Sequence, residues 1–215
     1  MKWFQRRKML TKAFHFNILQ KYFVTFKEEA EHFQNVAQEE VGKQRTDLYP
    51  LMSSTTLRIM CETAMGSTHG DMDSISSKYL TSLEDVGDCF TRRLVAPWLH
   101  LESIYQLTGV AKKQNTALKY LHGLTNSVVK NRRSFLAESN FNQFDNDGEY
   151  DTKEKLAMLD LLLKNEKSGL IDHEGIREEV DTFMFAGHDT TATAMTFMLM
   201  TLANEPVIQV NLIER

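Results

Sequence analysis

Asp181-Thr182-Phe183-Met184-Phe185-Ala186-Gly187-His188-Asp189-Thr190-Thr191 is the stretch on which the fold of this chain turns. It lies within a run from Asp172 to Asn204 that is apolar or small on nearly every face on its C-terminal side, through Leu202. A helix that is hydrophobic all round is a buried helix, and at roughly 30 residues it would span about 45 Å, enough to cross a domain. Its centre is nonetheless polar. Gly187 costs about 1 kcal/mol relative to alanine. A buried carboxylate at Asp189 needs a partner, and the Thr190 hydroxyl can bond back to the Ala186 carbonyl and bend the helix. A core helix weakened in one place is where function is expected.

Bulk properties narrow the field. The 215 residues suit one domain or part of a larger one, and 42% hydrophobic with 25% charged residues is a globular composition. A net charge of -4 gives no electrostatic reason to expect nucleic acid as a partner. Cys61 and Cys89 form no disulfide framework and no metal-ligand spacing, and the histidines show no His-x-x-x-His cluster. Both cysteines fall within helical apolar patterns, as small buried residues do. No stretch reaches the roughly 18 apolar residues of a membrane span. The short basic runs, Arg6-Arg7-Lys8 and Lys130-Asn131-Arg132-Arg133, fit solvated helix faces, the second without reservation.

Outward from the centre, strand signals are almost absent and the fold class is all-α. The spacing predicts a first helix over 2–13, where Trp3 and Arg7 share a face. A second is expected from an Asn17 cap to near Gly42, with Leu19, Phe23, Phe26, Ala30, Phe33 and Ala37 as its core stripe. A third is expected to open at Pro50 and end at Gly66. A fourth runs over about 73–93, followed by an apolar connector around Pro97, Trp98, Leu99, Leu101, Ile104 and Tyr105. A long helix over 109–138 has Ala117, Leu121, Leu124 and Val128 inside, residues 139–153 form a surface loop, and 156–164 make a short buried helix. Pro206 opens a last helix. There are no internal repeats.

Ala186-Gly187-His188-Asp189-Thr190-Thr191 resembles the oxygen-activation motif (Ala/Gly)-Gly-x-(Asp/Glu)-Thr-(Thr/Ser) of the cytochrome P450 monooxygenases. Glu178-Glu179-Val180-Asp181-Thr182-Phe183-Met184-Phe185 and Cys61-Glu62-Thr63-Ala64-Met65-Gly66 are similar to family 4 of those enzymes in particular. Trp3-Phe4-Gln5-Arg6-Arg7 is similar to the family's Trp-x-x-x-Arg helix, whose indole and guanidinium hold a haem propionate. Lys12 stands where family 4 usually has proline, so a less sharply defined end is expected for that helix.

The resemblance covers the chain, with residues 1–215 as a single partial domain of the P450 fold centred on its long buried helix. It implies a haem b cofactor and hydroxylation of fatty acids or other long apolar substrates with O2. Electrons would come from an NADPH-cytochrome reductase, and the enzyme would lie at the cytosolic face of the endoplasmic reticulum membrane. By carry-over, Asp189 and Thr190 are the catalytic acid–alcohol pair that delivers protons during oxygen activation. Trp3 and Arg7 hold a propionate, while Ala186 and Gly187 let the helix approach the haem closely. Many family 4 members carry a glutamate at the Ala186 position that esterifies a haem methyl; alanine cannot. Beyond the central helix there is no Phe-x-x-Gly-x-x-x-Cys-x-Gly loop, which carries the iron's cysteine ligand in the family, nor the Glu-x-x-Arg helix that braces it. The expectation is therefore an internal portion of the enzyme, without iron ligand or N-terminal anchor and inactive by itself. Membrane contact is left to the 94–106 connector. The alternative is a truncated, non-enzymatic helical protein that binds an apolar ligand or partner without haem.

Overall fold

Helix follows helix along the described chain. The computed structural model describes residues 2–67, 72–138 and 157–214, with 72–76 described by backbone alone, and among these there is no strand. The α-helices in order are α1 (Lys2–Thr11), α2 (Phe16–Gln38), α3 (Leu48–Thr63), α4 (Met72–Val95), α5 (Glu102–Tyr105), α6 (Gly109–Glu138), α7 (Met158–Lys167), α8 (His173–Ala203) and α9 (Pro206–Ile213). Short 3-10 turns at Lys12–Phe14 and Pro97–His100 follow α1 and α4. The all-α class is observed, and α6 and α8 fall where hydrophobic spacing and caps put them. The loop expected over 139–153 lies outside the described residues.

Helix starts depend on which side chain reaches a free amide. Asp172 caps α8 as expected, its carboxylate accepting from the Gly175 amide at 2.8 Å. Two other starts differ from expectation. Asn17 sits inside α2, which begins at Phe16 after an extended His15, because the 3-10 turn feeds straight into it. Asp47 caps α3 through the Tyr49 amide at 3.1 Å, so Pro50 lies within the first turn, where its missing N–H has no intrahelical partner to lose.

The stripe expected to be the core of α2 is not. Leu19, Phe23 and Phe26 are exposed, and the buried side is Ile18, Tyr22, Thr25 and Glu29. Polar pairing with α3 sets this rotation. Glu29 takes a bidentate grip from Arg58 at 2.8 and 3.2 Å, and one turn away Thr25 donates to Glu62 at 2.7 Å. A buried, paired charge cannot be turned outward for a phenylalanine without stranding its partner.

The second basic run is a solvated face only in part: Lys130, Asn131 and Arg133 are exposed, but Arg132 is not. Arg132 reaches inward from α6, donating to both oxygens of buried Asp160 at 2.6 and 2.8 Å and to the Gly66 carbonyl at 2.9 Å. Asp160 also accepts from the Ala157 amide at 2.9 Å, so one guanidinium ties α6, α7 and the end of α3 together. Gly66, at φ +66, has no room for a Cβ against that guanidinium.

The main core joins Leu57, Cys61, Leu121, Leu159, Ile176 and Val180 with their neighbours, between α3, α6, α7 and α8. A smaller cluster of Ala96, Leu99, Tyr105 and Ala111 holds the connector. That connector is only half packed: Trp98, Leu101 and Ile104 face outward. The central helix is buried along a single stripe, Ile176, Val180, Met184, His188 and Ala192, and not all round. Phe197, Met198 and Met200 beyond it are exposed, as is the whole of α9. Among the described residues no helix is long and apolar enough to cross a membrane.

Removing one member of the Arg132–Asp160 pair leaves the other buried without its partner. Arg132→Met is expected to destabilise the complete protein by about 3–5 kcal/mol in denaturant unfolding. The double variant Arg132→Met with Asp160→Leu should recover most of that loss.

Candidate active site

α3 runs along α8 as its principal packing partner, and its Met60 side chain lies directly against Gly187. A Cβ there would meet the Met60 thioether at 2.5 Å. The absent side chain of Gly187 thus makes room for α3, and only Ala186 of the expected small pair is exposed on the open side. Thr56, one turn before Met60, donates to the His188 carbonyl at 3.0 Å and locks the two backbones together.

Each residue of the polar string has a different task. His188 is buried, donates through Nδ1 to the Met184 carbonyl at 2.6 Å, and meets the Tyr79 ring edge-on at 5.9 Å. Thr190 donates back to the Ala186 carbonyl at 2.8 Å and Thr191 to the Gly187 carbonyl at 2.9 Å. Two consecutive back-bonds loosen the helix at this turn. Asp189 is half-buried, and its Oδ1 accepts from the Tyr49 hydroxyl of α3 at 2.7 Å. Tyr49 is the functional-site neighbour that sequence reasoning missed. Nothing in local pattern links residues 140 apart, although an aromatic donor two places after a helix cap was visible.

Ala186, Thr190 and Phe197 lie on the same exposed face of α8. Glu179, two turns before Ala186, lies on that face too, and α1 docks there. Arg6 Nη1 pairs with Glu178 at 2.6 Å and Glu179 at 3.1 Å, Lys2 adds Glu178 at 3.1 Å, and Phe14 stacks on Phe183 at 5.8 Å. With Arg6 so engaged, Trp3 and Arg7 project about 100° round α1 from Lys2 and Arg6. Both are exposed, with the Arg7 guanidinium 5.2 Å from the Trp3 ring centre. Arg7 has no carboxylate partner among the described residues. The expected site residues therefore divide: Trp3, Arg7, Ala186 and Thr190 stand on open surface, Asp189 on the flank, and Gly187 against α3.

The cysteines stand elsewhere. Cys61 and Cys89 are fully buried, and burial pushes the Cys61 thiol up to about 12. Burial also holds the His188 imidazole below its ordinary value of 6.5. The unfolded chain then takes up a proton near pH 6.5 that the folded chain refuses, so this residue's contribution to stability falls as pH drops below about 6.5. His188→Phe is expected to flatten that part of the stability–pH curve measured by denaturant unfolding.

Comparison with known proteins bears on all of this geometry. The family model described as Cytochrome P450 matches residues 1–214. Among curated proteins, the chain is 38% identical over 208 residues to "Probable cytochrome P450 4ac3" of Drosophila melanogaster, covering 97% of this chain and 40% of the relative. It is 39% identical over 210 residues to "Cytochrome P450 4p1" of the same fly, covering 95% and 40%. It is 35% identical over 211 residues to the human "Cytochrome P450 4V2", covering 97% and 40%. The chain thus spans about two fifths of the length of the curated relatives it matches. With a helical core, the Trp3–Arg7 helix docked at the start of the long central helix and a family match over nearly every residue, this chain belongs to the cytochrome P450 family.

Proposed function

We propose that this chain forms one wall of the haem pocket of a monooxygenase that hydroxylates fatty acids or other long apolar substrates with O2. NADPH-cytochrome reductase is the electron donor in this reading, at the cytosolic face of the endoplasmic reticulum membrane. The observation that carries it is the bare face of α8. Ala186 and Thr190 lie exposed in line with Glu179, where α1 brings up Trp3 and an Arg7 that has no carboxylate partner among the described residues.

The donor set fits a haem at one edge and over one face. Arg7 offers a permanently charged planar fork for a propionate, and the Trp3 indole adds one donor. Ala186 presents only a methyl where a flat ring would lie against the helix. The buried thiols of Cys61 and Cys89 are not placed to ligate its iron. Haem b, when bound, supplies the binding and reductive activation of O2.

The chain's own part is to manage protons and exclude water. Thr190, back-bonded to Ala186, leaves its oxygen at a loosened turn where a water can be held. Asp189 is the carboxylate from which a proton can pass towards that water and be replaced from outside. The surrounding apolar surface of Ala186 and Phe197 favours a long apolar substrate.

Thr190→Ala in the complete, haem-loaded protein is expected to uncouple turnover, with NADPH consumed and hydrogen peroxide released in place of product. Equal coupling in wild type and variant would remove Thr190 from the relay. Because Ala186 has no carboxylate to form an ester, acidic organic extraction is expected to strip all haem from the polypeptide. Haem retained after that treatment would contradict the reading, and Ala186→Glu is the variant expected to introduce a covalent link.

A further inference from the structure

Asp189 does not share the open face with Thr190. One residue apart on a helix, their side chains project about 100° from one another. Asp189 turns to the flank, where the Tyr49 hydroxyl donates to its Oδ1 at 2.7 Å. Tyr49 is itself fixed: it stands in the first turn of α3, with its amide held by the Asp47 cap at 3.1 Å and the buried Ser53 hydroxyl beside its phenol oxygen. The other oxygen, Asp189 Oδ2, has no hydrogen-bond partner among the described residues.

Beside this pair lies a cleft of about 480 Å³ between α3, α4 and α8. Asp189 and Tyr49 form part of its wall, and Ser54, Ser77, Thr81 and Glu84 add hydroxyls and a second carboxylate. A space of this size with several polar partners has room for ordered water. The exposed face beside it carries Ala186 and, further along α8, Phe197, with the Thr190 hydroxyl as its polar group at this turn.

We propose that this cleft is the route by which protons reach Asp189 from solvent, and that Tyr49 is the positioning residue that holds the Asp189 carboxylate against it. The inference rests on the monooxygenase reading above. A relay carboxylate must be reachable from water on one side and from the reacting site on the other, and the turn carrying Asp189 and Thr190 separates two such sides. Among the described residues, the charged or titratable groups facing Asp189 across the cleft are Tyr49 of α3 and Glu84 of α4, with His188 beside it on α8, and no lysine or arginine lines the wall. A neutral donor fixes the carboxylate without the charge attraction of a cation, which would oppose its protonation. The phenol stays protonated because its bond to Asp189, and then its burial, push it above its ordinary value. In each cycle Asp189 takes one proton at Oδ2 from a cleft water, which is replenished from bulk. It then gives one proton to a water held at Thr190 and returns to the carboxylate. One proton moves inward, and no electrons move with it.

The test uses the complete haem-loaded protein with reductase and NADPH, and dodecanoic acid as the probe substrate. Tyr49→Phe, which keeps the ring and its packing, is expected to lower product formed per NADPH about tenfold, the scale of losing one hydrogen bond to a charged group. The solvent deuterium isotope effect on product formation should rise with it. In an Asp189→Asn background the same change is expected to do nothing further. A readout without turnover accompanies these: the Tyr49 phenol, followed by its ultraviolet titration, should ionise at lower pH in Asp189→Asn than in wild type. Unchanged coupling and isotope effect in Tyr49→Phe overturn the proposal, as does an effect that adds in full to that of Asp189→Asn. A wild type that consumes no NADPH with the probe overturns the monooxygenase reading itself, and this inference with it.

Discussion

The close crossing of α3 over α8 at Gly187 is the constraint on which the rest depends. Where the Met60 side chain occupies the place of a Cβ, the two helices come near enough for Thr56 to bond the His188 carbonyl across the interface. That bond and the burial of His188 fix the rotation of α8 about its axis. Once the rotation is fixed, the direction of every residue in the polar string follows from the helical period. Ala186 and Thr190 are left outward, Asp189 is sent to the flank, and His188 is sealed against Tyr79 of α4.

Two buried ion pairs hold the frame round this crossing. Glu29–Arg58 sets how α2 lies on α3, and Arg132–Asp160 sets how α6 and α7 close behind α8. Pairs of this kind add little net stability over an apolar core but tolerate few alternative rotations, because each wrong rotation strands a charge. Their effect on the surface is direct. With Glu29 held inward, the phenylalanine side of α2 is carried outward, and Phe23 is left 68% exposed. Exposed apolar surface on α2 is therefore a consequence of polar geometry inside, and the connector, the end of α8 and α9 add further exposed apolar surface. Extended exposed patches are interaction surfaces as a rule.

The docking of α1 shows how neighbouring charges in one run divide their work. Arg6 and Lys2 are spent on Glu178 and Glu179, which anchors the helix at the head of α8. Arg7, next in sequence, is thereby turned away from that anchor with Trp3 beside it. Among the described residues Arg7 meets no carboxylate, while its neighbour carries the anchoring.

Much of this was legible in the sequence. Hydrophobic spacing, the Asp172 cap and the three prolines located the helices, and the back-bond from Thr190 to Ala186 follows from a threonine four residues after a carbonyl. The motif strings around Ala186 and Trp3 identified the family, because that information is local and contiguous. Rotation was not legible. Whether α2 buried its phenylalanines or its Glu29 depended on Arg58, 29 residues away, and whether Arg132 was solvated depended on Asp160, 28 residues away. Whether the apolar central helix was buried all round or along one stripe depended on how many helices reached it. The partner of Asp189 was decided by a contact with Tyr49 across 140 residues. Periodicity tells which residues share a face; only the tertiary structure, by pairing charges and hydroxyls over long separations, decided which face turned inward.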